Sequence, residues 1–207
     1  MPANPWPTIH AERQALVADV EPLSEQQWST QSLCADWTVR DVLAHMTATA
    51  KMTPPKFFGK FIGSGFRFND LQAKDVAAER GSSATDTLAR FKQQLGATTH
   101  PPGPIDAMVG EMVVHGEDIR RPLGIRHKYS DEALTTAAAF YRKSNLLIGA
   151  KTRAAGLTLR ASDVDWSAGT GPEVTGPLAS IIVAITGRRA GLADLSGEGL
   201  ATLTARV

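Results

Sequence analysis

Apolar residues recur at helical intervals through the first three-quarters of the chain. Ile9, Leu16, Val17, Val20 and Leu23 share one stripe, and Pro22 ends or bends it, which predicts a helix over about 7–21. A second stripe, Val39, Val42, Leu43 and Met46, predicts a helix over about 38–50. Its start, T-V-R-D from Thr38, supplies a capping hydroxyl with an acidic group three residues later, and Pro54 and Pro55 lie beyond its end. The stretch from Thr53 to Asp70 carries two prolines, three glycines and Phe57, Phe58, Phe61, Phe66 and Phe68, which suits a loop or short helix over a cavity, a candidate lid. Those phenylalanines are read first as core and second as cavity lining.

Further helices are expected near 70–79, from Ser83 to Leu95, over 105–121, and from Ser130 to about Ile148, where Ser130 caps and Ala133, Leu134, Ala137, Ala138 and Tyr141 point inward. Gly96, Pro101, Pro102 and Pro104 mark the break before the third of these. Around Gly156 the period changes from 3.6 to two, and 156–162, 164–169 and 173–176 read as short strands. Pro177 to Gly187 returns to helix around Ile181, Ile182, Val183 and Ile185, and 198–207 is a last helix or strand. The expected architecture is mainly α: a helical bundle over residues 1–150 with a small α/β appendage over 151–207. No internal repeat or low-complexity tract interrupts it.

The 207 residues, 43% of them hydrophobic, are enough for a substantial core. Twenty-two Lys and Arg against 21 Asp and Glu leave a formal charge of +1, without the basic excess that nucleic-acid binding requires. No run approaches the roughly 20 apolar residues of a membrane span, and Met1 to Pro7 has no basic segment followed by an apolar one. The expectation is a soluble, cytoplasmic protein with neither nucleic acid nor membrane as partner. One cysteine, Cys34, excludes an intrachain disulfide and a multi-cysteine zinc site. Metal binding would rest on histidine and carboxylate.

Candidate chemistry lies on two of the helices. In G110-E-M-V-V-H-G-E-D-I-R-R121, Glu111 and His115 are four apart and share a helical face, along the edge of the stripe formed by Ile105, Met108, Val109, Met112 and Ile119. His45 sits at a similar edge beside Val42, Leu43 and Met46. If the two stripes pack together, these three side chains can meet, and one carboxylate with two neutral imidazoles suits zinc or a similar first-row ion with a coordination position left open. Asp41 and Asp118 are candidate acceptors for the ligand imidazoles. The spacing is equally that of an interfacial histidine and a solvated glutamate, and the residues alone leave both readings open. Glu117, Arg120 and Arg121 read as a solvated charged face.

Two stretches, C34-A-D-W-T-V-R-D-V-L-A-H45 and E111-M-V-V-H-G-E-D-I-R-R-P-L-G124, resemble the mycothiol-dependent maleylpyruvate isomerase family of the DinB-like metal-binding bundles. The resemblance implies a DinB-like four-helix bundle in which His45, Glu111 and His115 coordinate zinc. The tail with G176-P-L-A-S-I-I-V-A-I-T-G-R188 is similar to the family's variable C-terminal appendage, which also resembles sterol-carrier-like modules.

A metal with an open position can hold a thiol as thiolate at neutral pH. The resemblance implies mycothiol as cosubstrate: its addition to the conjugated system of maleylpyruvate, rotation and departure give the trans isomer, whereas departure of a different group would make the reaction an S-transfer. The expected partners are thus a small-molecule thiol and an electrophilic substrate. Arg67, Arg160, Arg188 and Arg189 are the candidate cations for an acidic substrate. A noncatalytic metal-holding or small-ligand-binding protein is the alternative, and binding of an apolar molecule by the appendage is a third. Cys34, a thiol ahead of a helix, offers an activated nucleophile as a competing mechanism, but with no base evident near it in sequence it is read first as packing in a turn, and Trp37 as an anchor for the helix entrance rather than a substrate-stacking group. His10, His100 and His127 lack a paired ligand pattern and are assigned structural or surface roles.

Overall fold

The computed structural model describes residues 4–145 and 148–207. Its contacts divide into two compact units, Met1–His127 and Lys128–Val207. Helix α8 (Asp131–Lys143) thereby groups with the C-terminal unit, whereas the change of sequence texture suggests a boundary near 150.

In the first unit, α1 (Trp6–Val20) starts on a proline at its first turn and ends ahead of Pro22. A four-residue helix, α2 (Glu25–Trp28), follows, closed by a capping box between Ser24 and Gln27. Helix α3 (Val39–Ala50) has the cap its sequence predicts: Thr38 accepts from the Asp41 amide, and the Asp41 carboxylate accepts from the Thr38 amide at 3.0 Å. Helices α4 (Pro54–Gly63), α5 (Phe68–Arg80) and α6 (Ala84–Lys92) lead to α7 (Asp106–Arg120). Helix α3 packs on α5, α6 and α7, and α7 packs on α1 as well as α3. Ile9, Leu16, Val20, Val42, Leu43, Met46, Met112 and Ile119 fill the resulting core.

Because α7 lies against both α1 and α3, it is enclosed beyond its apolar stripe. The charged face expected at its end is therefore corrected: Glu117 is 7% exposed and Arg120 1%. Arg120 Nε donates to Asp19 at 2.7 Å, and Arg121 Nε donates to Glu117 at 2.6 Å, which satisfies charges that burial would otherwise make costly.

The phenylalanine segment is also corrected. No residue of α4 is buried, and Phe58, Ile62 and Phe66 are 55%, 62% and 68% exposed. Lys60 of this helix reaches Asp75 of α5 at 2.5 Å. Lys56 and Lys60 lie opposite Phe58 and Ile62 on the helical wheel, so the helix meets α5 through a polar residue and turns apolar ones to solvent.

In the second unit, Ser130 caps α8 by accepting from the Ala133 amide. The backbone is already extended at Ser144, short of the expected end at Ile148, and the intervening 146–147 lie outside the described residues. After α9 (Ala150–Ala154) come β1 (Thr158–Ala161), β2 (Ser167–Gly169) and β3 (Glu173–Gly176), in spatial order β2-β1-β3. Strand β1 pairs antiparallel with β2, Leu159 opposite Ala168, and parallel with β3, Leu159 opposite Val174. Helix α10 (Leu178–Ile185) is apolar nearly all round and forms the centre of this unit, packed by α8, α9, β1, β3 and the 3-10 helix Arg189–Asp194. The C-terminal segment contributes α11 (Leu200–Thr204). Among the described residues, no helix is long and apolar enough to cross a membrane.

Candidate metal centre

The packing of α3 on α7 brings His45 to His115: their ring centroids are 4.9 Å apart with planes at 76°. Trp37, just before the α3 cap, lies against the His45 ring with centroids 4.8 Å apart, in keeping with an anchoring role. One turn beyond His45, the Thr49 hydroxyl donates to the His45 carbonyl at 3.1 Å and is in hydrogen-bond contact with the Glu111 carboxyl. Glu111 and His115 occupy successive turns of α7; His115 meets the His45 ring, and Glu111 meets Thr49, one turn beyond His45.

Enclosure dominates the electrostatics. Burial pushes the Glu111 carboxyl up to about 7, against the opposing pull of His115, the Thr49 hydroxyl and the Arg13 guanidinium. Burial would lower His115, but hydrogen bonds and charge from Asp118 and Cys34 outweigh it and push the imidazole up to about 10. Nδ1 of His115 lies 2.9 Å from Asp118 Oδ2, so an imidazole N–H is held by a carboxylate one turn along the same helix. Of the two aspartates expected to support ligand imidazoles, Asp118 is in place. The Asp41 carboxylate instead accepts from Thr38 and pairs with Arg80 at 3.3 Å.

One residue of the site was not legible as such. Cys34 Sγ donates to Asp118 Oδ2 at 3.1 Å and hydrogen-bonds His115. The ligand atoms of Cys34, His115 and Asp118 all lie within 4.8 Å of one another, the one such grouping of three among the described residues. Cys34 and Asp118 are 84 residues apart in sequence, so no local motif announces the contact. The turn around Cys34 is held by the chain itself. Gln31 Nε2 donates to the carbonyls of Cys34 and Trp37 at 2.8 and 2.9 Å, Ser32 Oγ donates to the Trp37 carbonyl at 2.6 Å, and the Leu33 amide donates to the Asp118 carbonyl at 3.2 Å.

The residues present fit a divalent first-row ion. With Nδ1 of His115 engaged by Asp118, Nε2 is the nitrogen that could bind an ion, and a carboxylate partner of this kind would fix the imidazole for it. His45, Glu111 and His115, the set expected from the sequence, do not form such a grouping among the described residues, although the His45 and His115 rings are neighbours. Each candidate cation has a local partner: Arg67 pairs with Asp70 at 2.7 Å, Arg160 pairs with Glu173 at 2.6 Å across β1 and β3, and Arg188 Nη1 donates to the Thr186 carbonyl at 2.9 Å. Three histidines have structural contacts: His10 with the Ala97 carbonyl, His100 with the Pro101 carbonyl and His127 with the Glu12 carboxylate.

Residues 9–100 match the family model described as the mycothiol maleylpyruvate isomerase N-terminal domain. The matched stretch contains Cys34 and His45 and ends before α7. Two crystal structures of mycothiol-dependent maleylpyruvate isomerase, one of a histidine-to-alanine mutant, resemble the chain with TM-score 0.64 and 14% identity, covering 93% of this chain and 91% of theirs. At that identity the likeness is one of fold, and it agrees with the expected mainly helical architecture. No curated protein matches the chain. Residues 9–100 are thus similar to the N-terminal domain of the mycothiol maleylpyruvate isomerases.

Proposed function

We propose that this chain is a metal-dependent enzyme that uses a low-molecular-weight thiol, mycothiol, to isomerise a small unsaturated acid of the maleylpyruvate type. The observation that carries the reading is the meeting of His45 and His115 across α3 and α7, with His115 supported on its far side by Asp118. His45, Glu111 and His115 are the proposed ligands of a zinc-class ion. When bound, such an ion supplies a positive centre at which a thiol loses its proton near neutral pH.

The chain's own residues account for the rest. Asp118 accepts the Nδ1 proton bond of His115, fixing both tautomer and ring plane. Trp37 covers one side of His45 and limits the positions its ring can take. Glu111 provides one negative charge, so a divalent ion with this set keeps a net positive charge and can accept an anionic thiolate. The enclosure that raises Glu111 also strengthens each of these interactions by excluding water.

The reading is tested by metal quantification and turnover on the same samples. The purified, zinc-repleted protein is expected to hold at least one ion per chain and to isomerise maleylpyruvate only with mycothiol present, and His45→Ala is expected to lose the isomerisation while keeping its helical circular dichroism. A zinc-loaded protein that isomerises nothing but consumes mycothiol with a simple alkylating electrophile would make it an S-transferase. One that does neither would make it a metal-holding protein.

A further inference from the structure

Cys34, His115 and Asp118 form a cluster that the ligand set of His45, Glu111 and His115 does not require. Asp118 is wholly buried, and its Oδ2 receives two contacts at once, from His115 Nδ1 at 2.9 Å and from Cys34 Sγ at 3.1 Å. An imidazole nitrogen, a thiol sulfur and a carboxylate oxygen with all separations within 4.8 Å are the donor types and spacing of a small tetrahedral site. The cluster is built on two fixed pieces of backbone. Asp118 and His115 belong to α7, and the Cys34 turn is tied to that helix by the amide of Leu33 on the carbonyl of Asp118. Small side-chain adjustments around a common centre therefore suffice, with no rearrangement of the chain.

We propose that Cys34 Sγ, Asp118 and Nδ1 of His115 form a second seat for a zinc-class ion. This seat shares His115 with the ligand set proposed above but needs neither His45 nor Glu111. On binding, the Cys34 thiol and Nδ1 each release a proton to solvent, and the sulfur, nitrogen and oxygen each form one bond to the ion. The charges then sum to zero: a divalent cation, a thiolate, a carboxylate and a neutral imidazole. A neutral assembly suits the enclosure of Asp118, where an uncompensated charge is costly. It also lacks the residual positive charge that draws an external thiolate, so an ion in this seat is held rather than offered to the cosubstrate. The two seats differ in hardness as well, because only this one presents sulfur.

Cobalt(II), added to metal-free protein in thiol-free buffer, is the probe, because cobalt bound to a thiolate gives a sulfur-to-metal charge-transfer absorption in the near ultraviolet. His45→Ala is expected to retain one cobalt per chain with that absorption. Adding Cys34→Ser to His45→Ala is expected to abolish the band and weaken cobalt binding by at least about tenfold. Should the serine variant misfold by circular dichroism, Cys34→Ala in the same background serves the same purpose. Loss of all cobalt from His45→Ala, or its retention without the sulfur band, overturns the second seat and leaves the first ligand set standing. Cobalt binding that survives both His45→Ala and Glu111→Gln, with its affinity unchanged and the sulfur band intact, supports the second seat and overturns the first.

Discussion

His115 and Asp118 are joined through one side of an imidazole: Nδ1 of the histidine lies 2.9 Å from Oδ2 of an aspartate that is itself fully buried. The contact fixes Nδ1 of His115 on the carboxylate and limits how far the ring can turn. Asp118→Asn keeps the shape but replaces a charged acceptor with an amide, so zinc affinity should fall by roughly 10–100-fold with helix content unchanged. A competition titration against a chromophoric chelator measures it, and equal affinities for variant and wild type would remove Asp118 from the support of the site.

Metal binding should also be linked to proton release. With Glu111 pushed up to about 7 and His115 to about 10, the metal-free site carries protons at neutral pH that a metal must displace. Zinc affinity is therefore expected to rise with pH through neutrality. Calorimetric titrations in two buffers of different ionisation enthalpy should give different apparent heats, and identical heats would contradict the displacement.

Without metal, the same two groups bind more protons folded than unfolded, which sets the sign of their effect on stability. Their contribution is complete below the unfolded values, 4.5 for Glu111 and 6.5 for His115, and is lost as pH rises towards about 7 and about 10. Between 4.5 and about 7 the loss belongs mainly to Glu111. Over that interval the melting temperature of the metal-free wild type should fall relative to that of Glu111→Gln, whereas parallel profiles would mean that the carboxyl is not held protonated.

The helix that carries His45 depends on its first turn. Thr38→Ala removes the hydroxyl that accepts from the Asp41 amide and should cost about 0.5–2 kcal/mol of stability. Urea denaturation measures the loss. Since Thr38 does not touch the ligands, zinc affinity in the folded protein should change less than twofold.

In the C-terminal unit, Gly191 marks the closest approach of the 3-10 helix to α10. A Cβ there would lie 2.6 Å from the Ser180 carbonyl oxygen and 2.7 Å from the Ala184 amide nitrogen, both backbone atoms that cannot swing aside. Gly191→Ala should therefore destabilise this unit by about 1–3 kcal/mol, an overpacking cost measurable by thermal denaturation. An unchanged melting curve would mean that the two segments can part without penalty.

The local signals in the sequence were reliable where neighbours in the chain decide the outcome. Thr38 and Asp41 announce the start of α3, Ser83 and Ser130 the starts of α6 and α8, and the change to period two near Gly156 announces the strands. His45 and His115 could be marked by type and spacing, and they do come together. What could not be read depends on distant segments. Arg120 looks like a surface residue until Asp19, 101 positions earlier, is placed beside it. Cys34 looks inert until α7 brings Asp118 to its sulfur. The phenylalanines of α4 look like core because their number suggests it, and only tertiary packing reveals that this helix meets its neighbour by a lysine.

That outward-facing helix has a consequence for how the molecule opens. With no buried residue and Lys60 to Asp75 among its few anchors, α4 has little to lose on melting, so its amide hydrogens should exchange through local opening at rates nearly independent of added denaturant. The amides of α3 and α7 around His45 and His115 should exchange only when the first unit unfolds. The protein would then shed its most oily surface segment into an unstructured strand many times for each occasion on which the two histidines part.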